Sequence, residues 1–108
     1  MAQVRSREAY LLRTYGITEA DYEKILASQG GVCAICGKKP SLKRRLVIDH
    51  DHLLQRKYGV VVVNGLIHSR CNVAFGKFEW SDEVLTRLIK YARMVLATRA
   101  RYEKEEVS

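Results

Sequence analysis

Hydrophobic positions near the start of the chain recur with helical spacing, and polar residues mark where the helices begin and end. A narrow apolar face within residues 5–15 favours a short helix. A second helix is predicted over residues 18–29, because Thr18 can cap its first turn together with Asp21, three residues on. The glycine pair at residues 30–31 ends this helix, since glycine readily takes the left-handed conformation of a C-terminal cap.

The hydrophobic period changes in the middle of the chain. From Leu46 an apolar run leads directly into Asp-His-Asp-His at residues 49–52, which is typical of a strand. Side chains alternate along a strand, so we expect the two carboxylates on one side and the two imidazoles on the other. A polar loop is predicted around residues 55–59, and then a second strand over residues 60–67 with a bulge at its Asn-Gly pair, residues 64–65. The two strands predict a hairpin.

A long helix is predicted at the end of the chain. Ser81 is a suitable N-cap, two acidic residues follow it, and apolar residues then repeat with helical spacing from Leu85 to Leu96. We place this helix over residues 82–106 and expect its charged end, from Arg99, to be frayed. No internal repeat or interdomain linker is visible, so the sequence predicts a single α+β domain over residues 1–108.

Composition narrows the class of protein. A chain of 108 residues that is 47% hydrophobic fits one compact core. Nineteen Lys and Arg against twelve Asp and Glu give a net charge of +7, so we expect a polyanionic partner. The three cysteines are an odd number, and no apolar N-terminal segment resembles a signal peptide or a membrane span. We therefore expect a cytoplasmic protein in a reducing compartment, with no membrane partner.

Four potential metal ligands occur as two pairs with equal spacing. Cys33 and Cys36 form a Cys-x-x-Cys pair after the glycines, and His68 and Cys71 form the second pair. Three thiolates and one imidazole would enclose a structural Zn²⁺, which stabilises a fold and leaves no open position for substrate. Two alternatives stay open: a redox dithiol, or three small core residues beside an ordinary polar histidine.

The Asp-His-Asp-His segment offers groups that phosphodiester hydrolysis requires. This reaction needs a nucleophilic water, a base that works near neutral pH, and a cation that absorbs charge on the phosphate. Histidine suits the base role, and Asp49 together with the amide oxygen of Asn72 suits a hard cation such as Mg²⁺. Because Asn72 directly follows Cys71, zinc ligation would hold it beside the hairpin. The alternative role for Asn72 is a helix N-cap.

Seven segments between residues 15 and 91 match the pattern of one nuclease family. They are Tyr15–Thr18, Asp21 with Tyr22, Gln29–Gly37, Asp49–His52, Asn64–Ile67, Cys71 with Asn72, and Gly76–Phe78. Together they resemble the phage recombination endonuclease VII family, a zinc-containing branch of the HNH, or ββα-metal, nucleases. The resemblance covers most of the chain.

This resemblance implies a ββα-metal core with a zinc knuckle, flanked by an N-terminal helix and the long C-terminal helix. It implies that Asp49 and Asn72 hold a catalytic Mg²⁺ or Mn²⁺ and that His50 is the general base. His52 would be a supporting residue near the phosphate, and Asp51 a structural one. The products implied are a 5′ phosphate and a 3′ hydroxyl.

The chain departs from the family pattern in two places. His68 stands where the family usually has a fourth cysteine. The segment between the two strands, residues 53–59, is longer and more basic than the usual turn. The zinc site and hairpin together occupy residues 33–71.

We therefore predict a metal-dependent DNA endonuclease of a phage or prokaryote that cuts or nicks with low sequence specificity, has no small-molecule substrate and is monomeric. Phosphate contacts are expected from basic side chains: Lys38, Lys39, Arg44, Arg45, Arg56, Lys57 and Arg70. The alternative is a non-catalytic, zinc-stabilised module that binds nucleic acid. The set Asp49, His50 and Asn72 favours the enzyme, since a binding module needs no base beside a metal pocket.

Overall fold

The computed structural model describes residues 2–77 and 81–107, with the side chains of residues 7–77 and 81–104. Phe78, the end of one segment named above, lies outside the described residues. The helices and strands described are α1 (Ala2–Tyr15), α2 (Glu19–Ser28), β1 (Val47–His50), α3 (His52–Tyr58), β2 (Val63–Ile67), α4 (Ser69–Gly76) and α5 (Asp82–Val107). Helices beside a small antiparallel sheet confirm the α+β class. Contacts divide the chain into two compact units, Met1–Asn72 and Val73–Ser108.

The start and end of α2 follow the predicted capping residues. Thr18 Oγ1 accepts a hydrogen bond from the Asp21 backbone at 3.0 Å, and the Asp21 carboxylate accepts one from the Thr18 backbone at 2.9 Å. After the helix, Gly30 and Gly31 have φ of 72° and 76°, values at which a Cβ atom would be strained. The first helix is longer than predicted, since α1 begins at Ala2.

The hairpin contains the predicted bulge. β1 and β2 pair antiparallel, with Asp49 opposite Gly65 and His50 opposite Val63. Asn64 is therefore the extra residue of β2, and the register shifts at the point where β1 carries its acid and its imidazole. The bulge turns this end of the hairpin away from a regular ladder.

The segment between the strands is a helix, so the prediction of a polar loop was wrong. β1 ends at His50, and Asp51 caps α3 by accepting a 2.9 Å hydrogen bond from the Leu54 backbone. Gly59 ends α3 with φ of 65°. Aspartate is a common residue at the start of a helix and glycine at its end, and here they enclose a helix of seven residues. The predicted strand alternation beyond His50 was also wrong, because residues 51–52 begin this helix.

The second strand is shorter than predicted. β2 begins at Val63, whereas the sequence pattern placed its start at residue 60. Before the strand, the Val62 carbonyl still accepts a hydrogen bond of 2.9 Å from the Asp51 backbone. This hydrogen bond extends the contact between the two strand segments past the bulge, up to Asp51, the residue that caps α3.

The core of the first unit packs α2 against the hairpin and the cysteine loop. Its buried members are Tyr22, Cys33, Leu46, Leu66 and Ile67. The Tyr22 hydroxyl donates a 2.6 Å hydrogen bond to the Leu46 carbonyl, which satisfies the polar end of a buried ring. A cysteine thus belongs to the core and also faces the predicted metal site.

The side chains of two arginines lie over the Tyr22 ring. The guanidinium groups of Arg7 and Arg45 lie 5.0 Å and 5.6 Å from the ring centroid. Both also form ion pairs with Glu19, the first residue of α2. Arg45 therefore has a structural role in addition to the phosphate contact predicted for it.

The side chain of Gln29 connects the end of α2 to the outer edge of β2. Its Nε2 donates to the carbonyl oxygens of Leu66 and Val32, at 2.8 Å and 2.9 Å, and its Oε1 accepts from the Leu66 backbone at 2.9 Å. A Cβ atom on Gly65 would lie 3.1 Å from Gln29 Oε1, so glycine leaves room for this contact. Together with the Ala34 N–H, which also donates to the Leu66 carbonyl at 3.1 Å, this amide supplies partners that a third strand would otherwise provide.

The second unit contains α5, which begins where predicted. Ser81 Oγ accepts from the Val84 backbone at 3.4 Å, and the Ser81 carbonyl accepts from Leu85 at 2.9 Å. The helix continues through Val107, one residue beyond the predicted end. Among the described residues, no helix combines the length and hydrophobicity needed to cross a bilayer.

We predict that Gln29→Ala lowers the free energy of unfolding by about 1–3 kcal/mol, because the buried Leu66 N–H loses its partner and the Leu66 carbonyl keeps only its bond from the Ala34 N–H. Urea denaturation followed by circular dichroism measures the change. Ser28→Ala is the matched control: Ser28 is the exposed neighbour, and its loss should change stability by less than about 0.5 kcal/mol. Equal stability of the two variants would contradict the role of Gln29.

Candidate metal centre and histidine cluster

The four predicted metal ligands meet in one place. One ligand atom from each of Cys33, Cys36, His68 and Cys71 lies within 4.8 Å of all the others. The first two come from the loop after α2, His68 directly follows β2, and Cys71 lies on α4. A helix end, a strand end and a helix start therefore converge, and all four residues belong to the first unit.

The backbone of the cysteine loop is folded tightly around Cys33. The Cys33 N–H donates to the Lys38 carbonyl at 2.9 Å, and Gly37, with φ of 72°, donates to the Cys33 carbonyl at 3.0 Å. The Cys33 sulfur accepts from the backbones of Ile35, Cys36 and His68, at 3.4 to 3.5 Å. Three N–H groups aimed at one sulfur favour its thiolate form.

The thiols differ in how easily they ionise. Burial raises the pKa of Cys33, but the three backbone N–H groups and His68 lower it to about 6. Burial and hydrogen bonds with the other two thiols raise the pKa of Cys71 to about 11. Thiols this close compete for charge, and a bound divalent cation is what allows all of them to ionise.

The imidazole of His68 is oriented from both sides. Its Nδ1 lies 3.2 Å from the Cys36 sulfur, and its Nε2 lies 3.0 Å from the Lys39 carbonyl oxygen. A carbonyl only accepts, so Nε2 carries the proton and Nδ1 presents its lone pair to the cluster. His68 thus offers a potential ligand atom to the cluster of cysteines. Since Cys36 is exposed, three small core cysteines do not describe this cluster.

Asp49 and His50 lie at the bulged end of the hairpin. Asp49 is 8% exposed, and its carboxylate accepts a 3.4 Å hydrogen bond from the Asn64 amide. Among the described residues, no Lys, Arg or His forms a salt bridge with it. The bulge that displaces Asn64 from the ladder therefore also brings its amide to the buried acid.

Aromatic rings surround the half-buried imidazole of His50. The His52 ring lies 4.3 Å away between centroids, and the Tyr15 ring meets it edge-on at 5.5 Å. Burial and a hydrogen bond with Tyr10 raise the pKa of Tyr15 to about 12, so its hydroxyl stays protonated at neutral pH. The two histidines are neighbours as predicted, although the cause is the start of α3 and not strand alternation.

Gln55 is a member of this cluster that the sequence did not single out. Its side-chain oxygen lies 3.1 Å from Nε2 of His50. The prediction of a loop at residues 55–59 hid this contact, because α3 is the element that returns residue 55 toward the end of β1. Asp51 has the structural role expected of it, as the cap of α3.

Asn72 lies inside α4, so the alternative role of a helix N-cap was wrong. The helix begins at Ser69, and the Asn72 N–H donates to the His68 carbonyl at 3.0 Å. Its side chain is exposed, one residue after Cys71. The predicted phosphate-contacting side chains are likewise exposed: Lys38, Lys39, Arg44, Arg45, Arg56, Lys57 and Arg70.

Two phage proteins are similar to this chain. The gene 59 protein of Mycobacterium phage D29 is 40% identical over 89 residues, which cover 82% of this chain and 50% of that protein. The gene 59 protein of Mycobacterium phage L5 is 45% identical over 67 residues, 62% of this chain and 37% of that protein. The chain therefore spans half or less of the length of these relatives.

No solved structure is significantly similar to the chain. The family model described as recombination endonuclease VII matches residues 8–94, a range that contains the cysteine loop, the hairpin and α4. This range includes all four residues of the Cys/His cluster and also Asp49 and His50 at the bulge. The chain belongs to the recombination endonuclease VII family.

Proposed function

We propose that this chain is a metal-dependent DNA endonuclease of the HNH type, encoded by a phage. The observation that carries the proposal is that a buried acid, Asp49, and the next residue, His50, lie together at the bulged end of a hairpin. Membership of an endonuclease family and similarity to two phage proteins support it.

The order of elements also supports an HNH-type core. β1 and β2 form an antiparallel hairpin, and α4 follows β2 directly. In this arrangement the hairpin supplies Asp49 and His50, and the helix supplies Asn72. α3 is then an insertion between the two strands of a ββα unit.

Asp49 and Asn72 would hold the catalytic Mg²⁺ or Mn²⁺. A buried carboxylate is costly unless a positive charge accompanies it, and among the described residues no basic side chain pairs with Asp49. Carboxylate and amide oxygens are the donors that hard cations prefer. A cation bound there stabilises charge on the phosphate and on the departing 3′ oxygen.

His50 would act as the general base. A histidine can take a proton from the attacking water near neutral pH, and His50 adjoins the acid that would hold the cation. His52, whose ring lies 4.3 Å from that of His50, would support it and contact the phosphate. Cleavage of the bond between phosphorus and the 3′ oxygen leaves a 5′ phosphate and a 3′ hydroxyl.

DNA would bind mainly through its phosphates. The exposed basic side chains predicted for this role lie in the cysteine loop and the segment after it, on α3 and on α4. Such contacts make binding fall with salt concentration and leave it largely blind to base sequence. Arg45 contributes less than the others, because it shares the Glu19 carboxylate with Arg7.

The Cys₃His cluster would hold a structural Zn²⁺. Zinc accepts three thiolates and one imidazole in a closed tetrahedral shell, which keeps water and substrate from the ion. Its contribution is to fasten the cysteine loop to the end of β2 and the start of α4. A non-catalytic zinc module would explain this cluster, but it would not require His50 beside a buried acid.

We predict that the protein nicks or cuts supercoiled plasmid with Mg²⁺ or Mn²⁺, and that His50→Ala lowers the rate by roughly 10²- to 10⁴-fold, since it removes the base. Agarose gels measure the conversion of plasmid over time. Lys24→Ala, an exposed change on α2, is the control and should keep the wild-type rate. A wild-type protein that leaves plasmid intact with either ion would contradict the proposed activity.

We predict about one zinc per purified chain, as a four-ligand structural site requires. His68→Ala should lose most of this zinc and melt at least roughly 10 °C lower, because metal-binding energy is folding energy. His68→Cys, which keeps a ligand, should retain zinc. Elemental analysis and thermal denaturation provide the two readouts. Full zinc content in His68→Ala would show that the imidazole is not a ligand.

A further inference from the structure

The imidazole of His50 has a defined hydrogen-bond partner on the inserted helix. Its Nε2 lies 3.1 Å from Oε1 of Gln55. Tyr15 meets the ring edge-on, and the ring of His52 is tilted against it. One residue of α1 and two residues of α3 therefore contact the ring.

We propose that Gln55 is a positioning residue, whose amide oxygen holds the Nε2 proton of His50 and leaves Nδ1 as the nitrogen that takes the proton from water. This inference rests on the proposed function, because it assigns the orientation of the base in that reaction. An amide oxygen only accepts hydrogen bonds, so the nitrogen facing it must carry the proton. In a neutral imidazole the other nitrogen then has the lone pair.

The backbone of α3 fixes Gln55 at both of its ends. The Gln55 N–H donates to the Asp51 carbonyl at 3.1 Å, and the Gly59 N–H donates to the Gln55 carbonyl at 2.9 Å. The Asp51 side chain caps the same helix. Because Asp51 directly follows His50, the cap ties the helix to the strand end that carries the base.

The other polar and titratable groups around the ring do not replace Gln55. Tyr15 and His52 contact the imidazole through their rings, while Asp49 and Asp51 are its chain neighbours. Asp51 uses its carboxylate as a helix cap, and Asp49 accepts from Asn64. The segment that is longer than the usual family turn thus contributes the partner that orients the base.

The test uses variants that separate the hydrogen bond from the volume of the side chain. Gln55→Met keeps the length of the side chain and removes the hydrogen-bond acceptor, whereas Gln55→Glu keeps an acceptor. Leu53→Ala, an exposed change on the same helix, is the control. Circular dichroism and zinc content establish that each variant is folded.

The first readout is independent of cleavage. In ¹⁵N-histidine-labelled protein, at a pH where imidazole is neutral, His50 should show an Nε2–H signal with slowed solvent exchange, assigned by its loss in His50→Ala. The signal should persist in Gln55→Glu and Leu53→Ala and disappear in Gln55→Met. A signal that Gln55→Met leaves unchanged, or a proton found on Nδ1 in the wild type, would overturn the proposal.

The second readout is the rate of plasmid cleavage. Gln55→Met should lower kcat by roughly 10- to 100-fold with little change in KM, since a misplaced base affects the chemical step more than binding. Gln55→Glu should recover part of the loss. Unchanged kcat in Gln55→Met would overturn the role of Gln55. If the wild type shows the Gln55-dependent signal but no cleavage, the proposed function fails while the orientation of His50 by Gln55 is supported.

Discussion

The convergence of Cys33, Cys36, His68 and Cys71 is the constraint on which the first unit depends. Its hydrophobic core has few buried members, and its sheet has two short strands. So small a core stabilises a fold only weakly, and a shared metal ion is an effective supplement. The cluster joins three parts of the chain that are otherwise separate: the loop after α2, the end of β2 and the start of α4.

The convergence of these four residues also influences the bulged end of the hairpin. Fixing His68 fixes the end of β2, and the register of β2 determines that Asn64 is the residue displaced opposite the end of β1. Gln29 supports this register from the other edge by pairing with both backbone groups of Leu66. The position of Asp49 and His50 is thus a consequence of packing and hydrogen bonds formed some distance from them along the strands.

The helix inserted between the strands changes how the base would be held. A short turn would connect β1 and β2 without contributing a side chain, whereas α3 adds Gln55 and places His52 against His50. Its own start depends on Asp51, a residue whose position in an acidic and histidine-rich segment suggests chemistry but whose role is to cap a helix. Neighbouring acids in one short segment therefore have different environments: Asp51 caps a helix, and Asp49 is buried beside the Asn64 amide.

Local signals in the sequence determined much of this protein. The capping residues of α2, the helical spacing of α5, the Asn64 bulge and the two ligand pairs could all be predicted, because each depends on residues only a few positions apart. Such features need only backbone preferences and ligand chemistry, which act over short distances.

Tertiary structure decided the rest. The Gln29 bonds to Leu66 join residues 37 positions apart, and Arg45 reaches Glu19 from 26 positions away. The contact of His50 with Gln55 spans only five positions, yet it exists only because the segment between them folds as a helix at a strand end. These contacts depend on how elements meet in space, and no periodicity or motif along the chain encodes that meeting.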